Sequence, residues 1–485
     1  MTPSEHASPT LIRNTSWAIV WDAECGHTYS TDIDVRLTNG AIAAIGSSGT
    51  IPVEPEDVIL DARGQMLLPG LINIHSHPST EPAYRGVRED HGVPDQQMTG
   101  LFERLQAFNL DAAGREAAAT MSYAEMLSCG VTTVVDLSAT FDGWINVMRD
   151  SGLRVYAAPA FASARWGMTS PAVVTWQWDE AEGRRSFDRA RLLLEQIDSD
   201  PSGRLRGVVY PAQIDTVAED LLRESYAYAD TTGRLFMTHL AQSVIEVREI
   251  IRRHGMTPVA WAHDIGILAP RTTMAHCIFL DEHPEILWHT KRDLPILAES
   301  GANVAHCPSP FARYGATMED FGRYRAAGVN IAIGTDVAPH NLIEEMRTAI
   351  LAGRLASRNV HSIDAGAAFH AATIGGATAL GRSDLGRLNV GAKADLVLVD
   401  LTHPLMQPAR DPLRSLIYHA ADRAVLTVMV DGQIVYSRGK PLGFDLRSSA
   451  ATLAESQRRM IEGAATRDYA GRHGDVISPL SLCRR

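Results

Sequence analysis

The hydrophobic positions of the chain follow a β-like texture at both ends. From residue 10 to residue 68, short apolar runs are broken by Gly, Asn, Asp and Pro, and the Asn39-Gly40 pair is typical of a tight hairpin. The same texture returns in ADLVLVD (394–400) and in LTVMVDGQIVYSRGK (426–440), where Asp431-Gly432 repeats the hairpin signal. Because either end alone has too few strands to bury a core, the pattern predicts one small β-sandwich assembled from both termini.

The middle of the chain alternates strand-like and helix-like periodicity. Eight apolar runs of strand length are GLINIHSH (70–77), VTTVVDL (131–137), LRVYAAPAF (153–161), LRGVVYPA (205–212), RLFMTHLA (234–241), RTTMAHCIFL (271–280), NVAHCPSP (303–310) and NIAIGTD (330–336). Amphipathic helical patterns separate them, as in residues 185–197 and 243–255. This alternation predicts parallel βα units, and eight of them predict an α/β fold with a (β/α)8 TIM-like barrel. We expect four segments: residues 1–68 and 386–445 as the two parts of the β-sandwich, 69–385 as the barrel, and 446–485 as a C-terminal helix and tail.

Composition and charge narrow the function classes for this chain of 485 residues. Hydrophobic residues make up 45% and charged residues 21%, as is ordinary for a globular enzyme. The net charge of −12 argues against a nucleic-acid partner, because phosphate binding needs a clustered basic surface. The five cysteines include no Cys-x-x-Cys pair, which argues against a disulfide framework or a thiolate zinc site. No apolar run reaches about 18 residues, and the N-terminal residues do not resemble a signal peptide, so we expect a cytoplasmic protein without a membrane partner.

Five of the eight predicted strands end in histidine or aspartate, which are common metal ligands. They are His75 and His77 on the first strand, His239 on the fifth, His276 on the sixth, His306 on the seventh and Asp336 on the eighth. In a (β/α)8 barrel, the carboxyl ends of the strands meet at one face, where active sites are built. Residues two apart on a strand point the same way, so His75 and His77 can hold one ion together. Each residue alone has an ordinary explanation, such as core packing or helix capping, but their joint placement predicts a metal site.

Six motifs cover the predicted strand ends and the return to the small sheet: LLPGLINIHSH, THLAQ, MAHC, VAHCPSP, IGTD and LGRLNVGAKADLVLVD. Together they resemble the amidohydrolase superfamily. More narrowly, residues 10–440 are similar to the branch that holds triazine hydrolases, guanine deaminase and adenosylhomocysteine deaminase. The resemblance implies one divalent metal ion, held by His75, His77, His239 and Asp336; zinc suits these donors, with iron, cobalt or manganese as alternatives. It also implies a homo-oligomer, a dimer or a tetramer, that acts on a small molecule.

The resemblance assigns catalytic roles around that metal. His276 would act as a base that shares a water with Asp336, and bound zinc would lower the pKa of this water to about 7. His306 matches a histidine that faces the substrate, with a structural hydrogen bond on its strand as the alternative. Gln242, which we include among the predicted catalytic residues, departs from the pattern. Triazine hydrolases and purine-type deaminases of this branch carry His-x-x-Glu here and use the glutamate to shuttle a proton, whereas a glutamine side chain does not titrate.

Three interpretations of Gln242 remain open. In the first, which we prefer, the substrate needs no ring protonation, and the enzyme hydrolyses a C–N bond in a small amide, urea or carbamate. In the second, another acid such as Glu81, Glu89 or Asp90 replaces the missing glutamate; the corresponding alternative function is a deaminase or dehalogenase of an N-heterocycle. In the third, the protein is a non-catalytic scaffold, which conflicts with the retention of every predicted metal ligand.

Aromatic and amide side chains are frequent in the predicted loops at the carboxyl ends of the strands. They include Tyr84 and Gln96 after the first strand, Trp166 after the third and Gln213 after the fourth, and His340 follows the eighth. Aromatic rings with a few amides suit a small, flat, mostly neutral molecule. We expect Tyr84, Gln96, Trp166 and His340, together with His306, to contact the substrate.

Overall fold

The computed structural model describes residues 9–88, 93 and 99–483. The strands of this part of the chain are β1 (Thr10–Asp22), β2 (Gly26–Thr38), β3 (Ala41–Ser47), β4 (Val58–Asp61), β5 (Gln65–Pro69), β6 (Leu71–Ser76), β7 (Val131–Asp136), β8 (Arg154–Ala157), β9 (Ala160–Phe161), β10 (Ala164–Ser170), β11 (Val173–Trp178), β12 (Leu205–Pro211), β13 (Leu235–Leu240), β14 (Thr272–His276), β15 (Asn303–His306), β16 (Ile331–Ile333), β17 (Leu396–Asp400), β18 (Val425–Val430), β19 (Gln433–Ser437) and β20 (Lys440–Pro441).

The α-helices are α1 (Thr99–Ala107), α2 (Ala112–Ser128), α3 (Trp144–Asp150), α4 (Glu180–Asp198), α5 (Glu219–Thr232), α6 (Val244–His254), α7 (Pro258–Asp264), α8 (Asp293–Ser300), α9 (Pro308–Arg313), α10 (Phe321–Ala326), α11 (Leu342–Ser357), α12 (Ala365–His370), α13 (Gly376–Ala379), α14 (Pro412–Ser415), α15 (Leu446–Glu462) and α16 (Gly474–Ile477). Short 3-10 or π-helical turns cover Glu81–Tyr84, Ala371–Gly375, Pro404–Met406, Leu416–Ala420, Ala421–Ala424 and Ala464–Thr466.

Parallel strands form the barrel that the alternating pattern predicts. Their order is β6, β7, β8, β12, β13, β14, β15 and β16, and every neighbouring pair is parallel. The short β9 continues β8 and pairs with the far end of β12. The first and last strands meet at a bridge between Ser76 and Asp336, so the barrel is nearly closed. The predicted (β/α)8 fold is therefore confirmed, and its strands are buried throughout because helices cover their outer face.

Both termini build a second, mixed sheet in the order β20, β19, β18, β17, β5, β1, β2 and β3, with β4 beside β1. Strand β17 runs antiparallel to β5, so hairpins from the C-terminal part complete a sheet that the N-terminal part begins. Asn39 and Asp431 have φ angles of 52° and 48°, as the tight turns predicted at these positions require. The composite domain is therefore confirmed, whereas its exact boundaries at residues 68, 385 and 445 stay predictions.

Local signals explain the helix that follows the fifth barrel strand. The Ser243 side chain accepts a hydrogen bond from the Glu246 N–H, which caps the N-terminus of α6. Gly255 ends the helix with a φ of 69°, a conformation that glycine adopts without strain. Strands β10 and β11 form a hairpin where the sequence pattern predicts only a loop. The pattern gives no hairpin signal there, because the turn contains Pro171 rather than an Asn-Gly or Asp-Gly pair.

A buried arginine joins the barrel to the composite sheet. Arg154 lies on β8 and is only 2% exposed. Its Nε donates to Oδ2 of Asp395 at 3.1 Å, and its Nη2 donates to Oδ1 of Asp431 at 2.8 Å. Asp395 in turn accepts the backbone N–H of Asp431 at 2.8 Å. Removal of one partner from such a buried ionic group leaves an uncompensated charge, so this cluster holds the two domains in register.

We predict that Arg154→Met lowers the free energy of unfolding by about 3–5 kcal/mol, because it leaves Asp395 buried without its cation. Urea denaturation followed by circular dichroism measures the change. The matched control is Arg63→Met, whose ion pair with Asp61 is exposed, and which should change stability by less than about 1 kcal/mol. Equal effects of the two substitutions would contradict a structural role for the Arg154 cluster.

Candidate functional site

Four side chains from three barrel strands converge at the carboxyl ends of the strands. The potential ligand atoms of His75, His77, His239 and Asp336 all lie within 4.8 Å of one another. The Asp336 Oδ1 atom is 3.3 Å from the His75 Nε2 and 3.2 Å from the His77 Nε2. The buried His75 Nε2 has no hydrogen-bond partner within the described residues, which fits a nitrogen that coordinates an ion. Three imidazoles and one carboxylate are donors that suit zinc, and a water would add a fifth ligand, a coordination number to which catalytic zinc sites can expand.

Hydrogen bonds behind the ligands orient the imidazole rings. The His77 Nδ1 lies 2.9 Å from the Leu137 carbonyl, and the His239 Nδ1 lies 2.6 Å from the Ala212 carbonyl. A carbonyl oxygen accepts only, so each Nδ1 carries the proton and each Nε2 keeps its lone pair for a metal. The Tyr210 hydroxyl, 3.2 Å from the same His239 nitrogen, adds a second contact on that side.

The backbone is strained at the strand ends that carry the site. Ala241, His276, Cys277 and Asp336 have φ angles of 52°, 79°, 46° and 60°. A positive φ is unfavourable for residues with a Cβ atom and persists only where the surrounding structure imposes it. All four residues follow or end β13, β14 or β16, so strained backbone is present where the chain turns away from these barrel strands.

Burial and mutual contacts set the charge state of the group. Burial first, then the neighbouring imidazoles of His75 and His276, lower the pKa of His239 well below its ordinary value. Burial also lowers the pKa of His276. For Asp336, burial alone would raise the pKa, but the close approach of the His75 and His77 imidazoles outweighs it and holds that pKa well below the ordinary value. The lowered pKa values favour neutral imidazoles at His239 and His276 and an ionised carboxylate at Asp336, which are the states in which such groups bind a cation.

The predicted catalytic residues lie around this group. The His276 ring centroid is 5.0 Å from that of His75 and 5.1 Å from that of His239. His306 is 3% exposed and stacks on Phe321 with a centroid distance of 5.5 Å, and burial lowers the pKa of His306 to about 4. Their catalytic and substrate-binding roles stay predictions.

The residues predicted to contact substrate occupy different environments. The Trp166 indole donates to Asp215 at 2.9 Å, and the Tyr84 hydroxyl donates to the Phe108 carbonyl at 3.3 Å. His340 is fully buried, with its Nδ1 2.8 Å from the Thr335 hydroxyl. Gln96 lies outside the described residues. Substrate contact stays a prediction for all four.

Of the three acids that could replace the missing glutamate, Glu89 and Asp90 also lie outside the described residues. Glu81 is 7% exposed and its backbone N–H donates to the His77 carbonyl at 3.2 Å. Burial raises the pKa of Glu81, although the nearby Arg104 opposes this shift. Glu81 therefore lies next to the metal-binding group as a buried carboxyl.

Two buried carboxyls near the ends of β12 and β13 are not among the residues predicted from the sequence. Glu246 accepts the backbone N–H groups of Ala241 at 2.6 Å and Gln242 at 2.9 Å. Asp215 accepts the indole N–H groups of both Trp166 and Trp176, which fastens the hairpin of β10 and β11 to the barrel. The Ser243-x-x-Glu246 spacing is a capping signal that could have indicated Glu246. The Asp215 contacts join elements distant in sequence, so no local pattern indicates them.

A sequence model of the amidohydrolase family matches residues 66–435, and the chain belongs to this family. A 5-methylthioadenosine/S-adenosylhomocysteine deaminase from Halobacterium salinarum is 31% identical over 440 residues, covering 90% of this chain and 94% of that protein. A 5′-deoxyadenosine deaminase from Methanothermobacter thermautotrophicus is 30% identical over 410 residues, covering 84% and 90% of the two chains.

Solved structures share the fold along nearly the whole chain. An adenosine deaminase from Xanthomonas campestris with bound zinc superposes with a TM-score of 0.80 at 25% identity, covering 93% of this chain and 98% of that chain. An atrazine chlorohydrolase from Arthrobacter aurescens, complexed with zinc, has a TM-score of 0.76 at 24% identity, covering 92% and 100%. The second match shows the fold alone.

These findings establish a metal-dependent hydrolase that acts on carbon–nitrogen bonds, and they confirm the predicted superfamily. A single divalent metal ion is supported, and zinc is favoured by the donors and by the zinc-bound neighbour; the group of His75, His77, His239 and Asp336 could hold it. Every helix among the described residues is too short or too polar to span a bilayer. The expected cytoplasmic location and homo-oligomeric state stay predictions.

We predict that His239→Ala loses stoichiometric zinc while the chain stays folded. Loss of a partner behind a ligand lowers metal affinity about 10- to 100-fold, so loss of a ligand should lower it more than about 100-fold. Metal content after dialysis against a weak chelator measures the effect, and circular dichroism reports the fold. His263→Ala, a change on the exposed face of α7, is the control and should retain zinc. Full zinc occupancy in His239→Ala would contradict the assignment of this ligand.

Proposed function

We propose that the protein is a hydrolytic deaminase of an amino-substituted, adenosine-like N-heterocycle. The observation that carries this proposal is the intact metal-binding group, with His276 beside it, in a chain whose full-length relatives are adenosine-type deaminases. This replaces amide, urea or carbamate hydrolysis as the preferred function, since the relatives support the alternative of the sequence analysis better. The non-catalytic scaffold is not supported, because the chain retains all four ligands.

The reaction would exchange the exocyclic amine of the ring for oxygen. Zinc, when bound, supplies Lewis acidity and lowers the pKa of a coordinated water to about 7. The ionised Asp336 carboxylate can orient that water and accept a hydrogen bond from it. The neutral His276 imidazole can take one proton as the C–O bond forms at the amine-bearing carbon. The same proton is then available to the leaving nitrogen when the C–N bond breaks, so that ammonia departs and a ring hydroxyl remains. This hydroxyl becomes the ring carbonyl when its proton moves to the adjacent ring nitrogen.

Gln242 supports a second candidate function. A deaminase that protonates a ring nitrogen gains from an acid at this position, and the Gln242 amide can only hydrogen-bond. Amides, ureas and carbamates already contain a carbonyl and need no ring protonation. Hydrolysis of such a compound therefore remains the second candidate, on the specific observation that residue 242 is glutamine.

A substrate panel separates the two candidates. We predict that the zinc-loaded protein releases ammonia from adenosine, 5′-deoxyadenosine or an aminotriazine at a rate that depends on His239. Phenylurea, acetanilide and a phenylcarbamate form the second set, with aniline release as the measurement. Turnover confined to the second set would overturn the deaminase proposal in favour of the second candidate.

We predict that His276→Asn lowers kcat about 10²- to 10⁴-fold, which is the usual contribution of a positioned acid–base group, while zinc content stays at the wild-type level. The reason is that His276 moves the proton without being one of the four ligands. Steady-state kinetics and metal analysis on the same preparation measure both quantities. A kcat within twofold of wild type would exclude His276 as the proton-transferring residue.

A further inference from the structure

Two glutamine side chains pair with each other at the ends of adjacent barrel strands. Gln242 follows β13 and is 4% exposed, and Gln213 follows β12 and is half-buried. The Gln242 Nε2 donates a hydrogen bond to the Gln213 Oε1 at 3.1 Å. Neither side chain titrates, so this amide pair stays uncharged at any pH at which the protein is folded.

The amide pair is held in place by the same backbone that holds the metal-binding group. The backbone of Gln213 forms a parallel bridge with His239, and the Ile214 N–H donates to the His239 carbonyl at 3.3 Å. On the other side, Glu246 fixes the backbone of Gln242 through its N–H at 2.9 Å. The positions of both amides are therefore tied to the position of a predicted metal ligand.

One acceptor and one donor of the amide pair remain available. Among the described residues, the Gln242 Oε1 and the Gln213 Nε2 have no hydrogen-bond partner, and neither atom is fully enclosed by protein. The Gln242 Nε2 and the Gln213 Oε1 are bonded to each other. The unpaired acceptor (Gln242 Oε1) and the unpaired donor (Gln213 Nε2) therefore belong to two amides that are held together by this hydrogen bond. A joined acceptor and donor of this kind is complementary to a planar ligand edge that carries one donor beside one acceptor.

We propose that the Gln213–Gln242 amide pair determines specificity by hydrogen-bonding an uncharged N–C–NH2 edge of the substrate, in which a ring nitrogen stands beside the amine-bearing carbon. Gln213 donates to the ring nitrogen, and Gln242 accepts from the amine. In protein–DNA complexes a single glutamine amide likewise bonds the adenine amine and a ring nitrogen, although that nitrogen is N7 on another edge of the ring. This inference rests on the proposed deaminase function. An O–C–NH group of a urea or amide presents the same acceptor–donor edge, so the experiment includes both sources.

The test compares nucleosides that differ by one ring atom. Adenosine and 7-deazaadenosine keep the ring nitrogen beside the amine-bearing carbon, whereas 1-deazaadenosine lacks it. For the zinc-loaded wild-type protein, we expect similar KM values for the first two. 1-Deazaadenosine lacks the C=N bond that takes up the electron pair when water attacks, so it is measured as a competitive inhibitor, and we expect its inhibition constant to be about tenfold above the KM for adenosine, as loss of one buried hydrogen bond implies. Gln213→Met should raise the KM for adenosine about tenfold and leave the inhibition constant of 1-deazaadenosine within twofold of its wild-type value.

Matched controls separate this role from a structural one. Gln196→Met, an exposed change on α4, should leave every KM unchanged, and zinc content and the thermal midpoint report the fold of each variant. If Gln213→Met does not fold, the Gln242→Met variant and the comparison of the three nucleosides with the wild-type protein still test the proposal. Equal increases in the KM for adenosine and in the inhibition constant of 1-deazaadenosine would overturn the proposal, since they would indicate a general packing defect.

Binding measurements distinguish failure of the amide-pair proposal from failure of the deaminase proposal. If the wild-type protein turns over no nucleoside, calorimetry measures binding of adenosine and 1-deazaadenosine directly, and equal dissociation constants or no binding would overturn the role of the amide pair. Phenylurea and its fully N-methylated derivative form the parallel arm. A Gln213-dependent preference for phenylurea alone would assign the same edge chemistry to a urea substrate and contradict the N-heterocycle.

Discussion

The contact between Asp336 and the first barrel strand is the interaction on which the rest of the structure depends. The Asp336 N–H donates to the His75 carbonyl at 2.8 Å, and the His77 N–H donates to the Asp336 carbonyl at 3.1 Å. These two bonds join the last strand to the first. The carboxylate of the same residue reaches the imidazoles of both histidines. Closure of the barrel therefore also brings the Asp336 carboxylate beside His75 and His77.

The energetic cost of this arrangement is the burial of several polar groups in one place. Isolated buried charges are unfavourable, and unpaired buried nitrogens lose their hydrogen bonds to water. Lowered pKa values at His239 and His276 reduce that cost, and the close approach of His75 and His77 favours the ionised Asp336 carboxylate. A bound cation offsets the remainder, because it satisfies the lone pairs that the protein leaves free. Stability and metal binding are thus coupled in this fold.

The neighbourhood of Gln242 shows why a relative of known deaminases need not use their proton transfer unchanged. The position is occupied by an amide that is buried, fixed through its backbone by Glu246 and paired through its side chain with Gln213. A lone substitution of glutamate by glutamine would leave an unsatisfied amide near the metal. The partner on β12 provides a hydrogen-bond acceptor for it, so the change is accommodated by the local structure.

Sequence alone determined the barrel and the composite sheet, because these depend on local periodicity, and it predicted the metal ligands from the residue types that end the strands. It also identified Gln242 as the exception. The tertiary structure decided the rest. The pairing of Gln213 with Gln242, the indole contacts of Asp215 and the Arg154 cluster each join segments far apart in the chain. Such contacts depend on strand register and on the packing of loops over the barrel, and neither leaves a period or a spacing in the sequence.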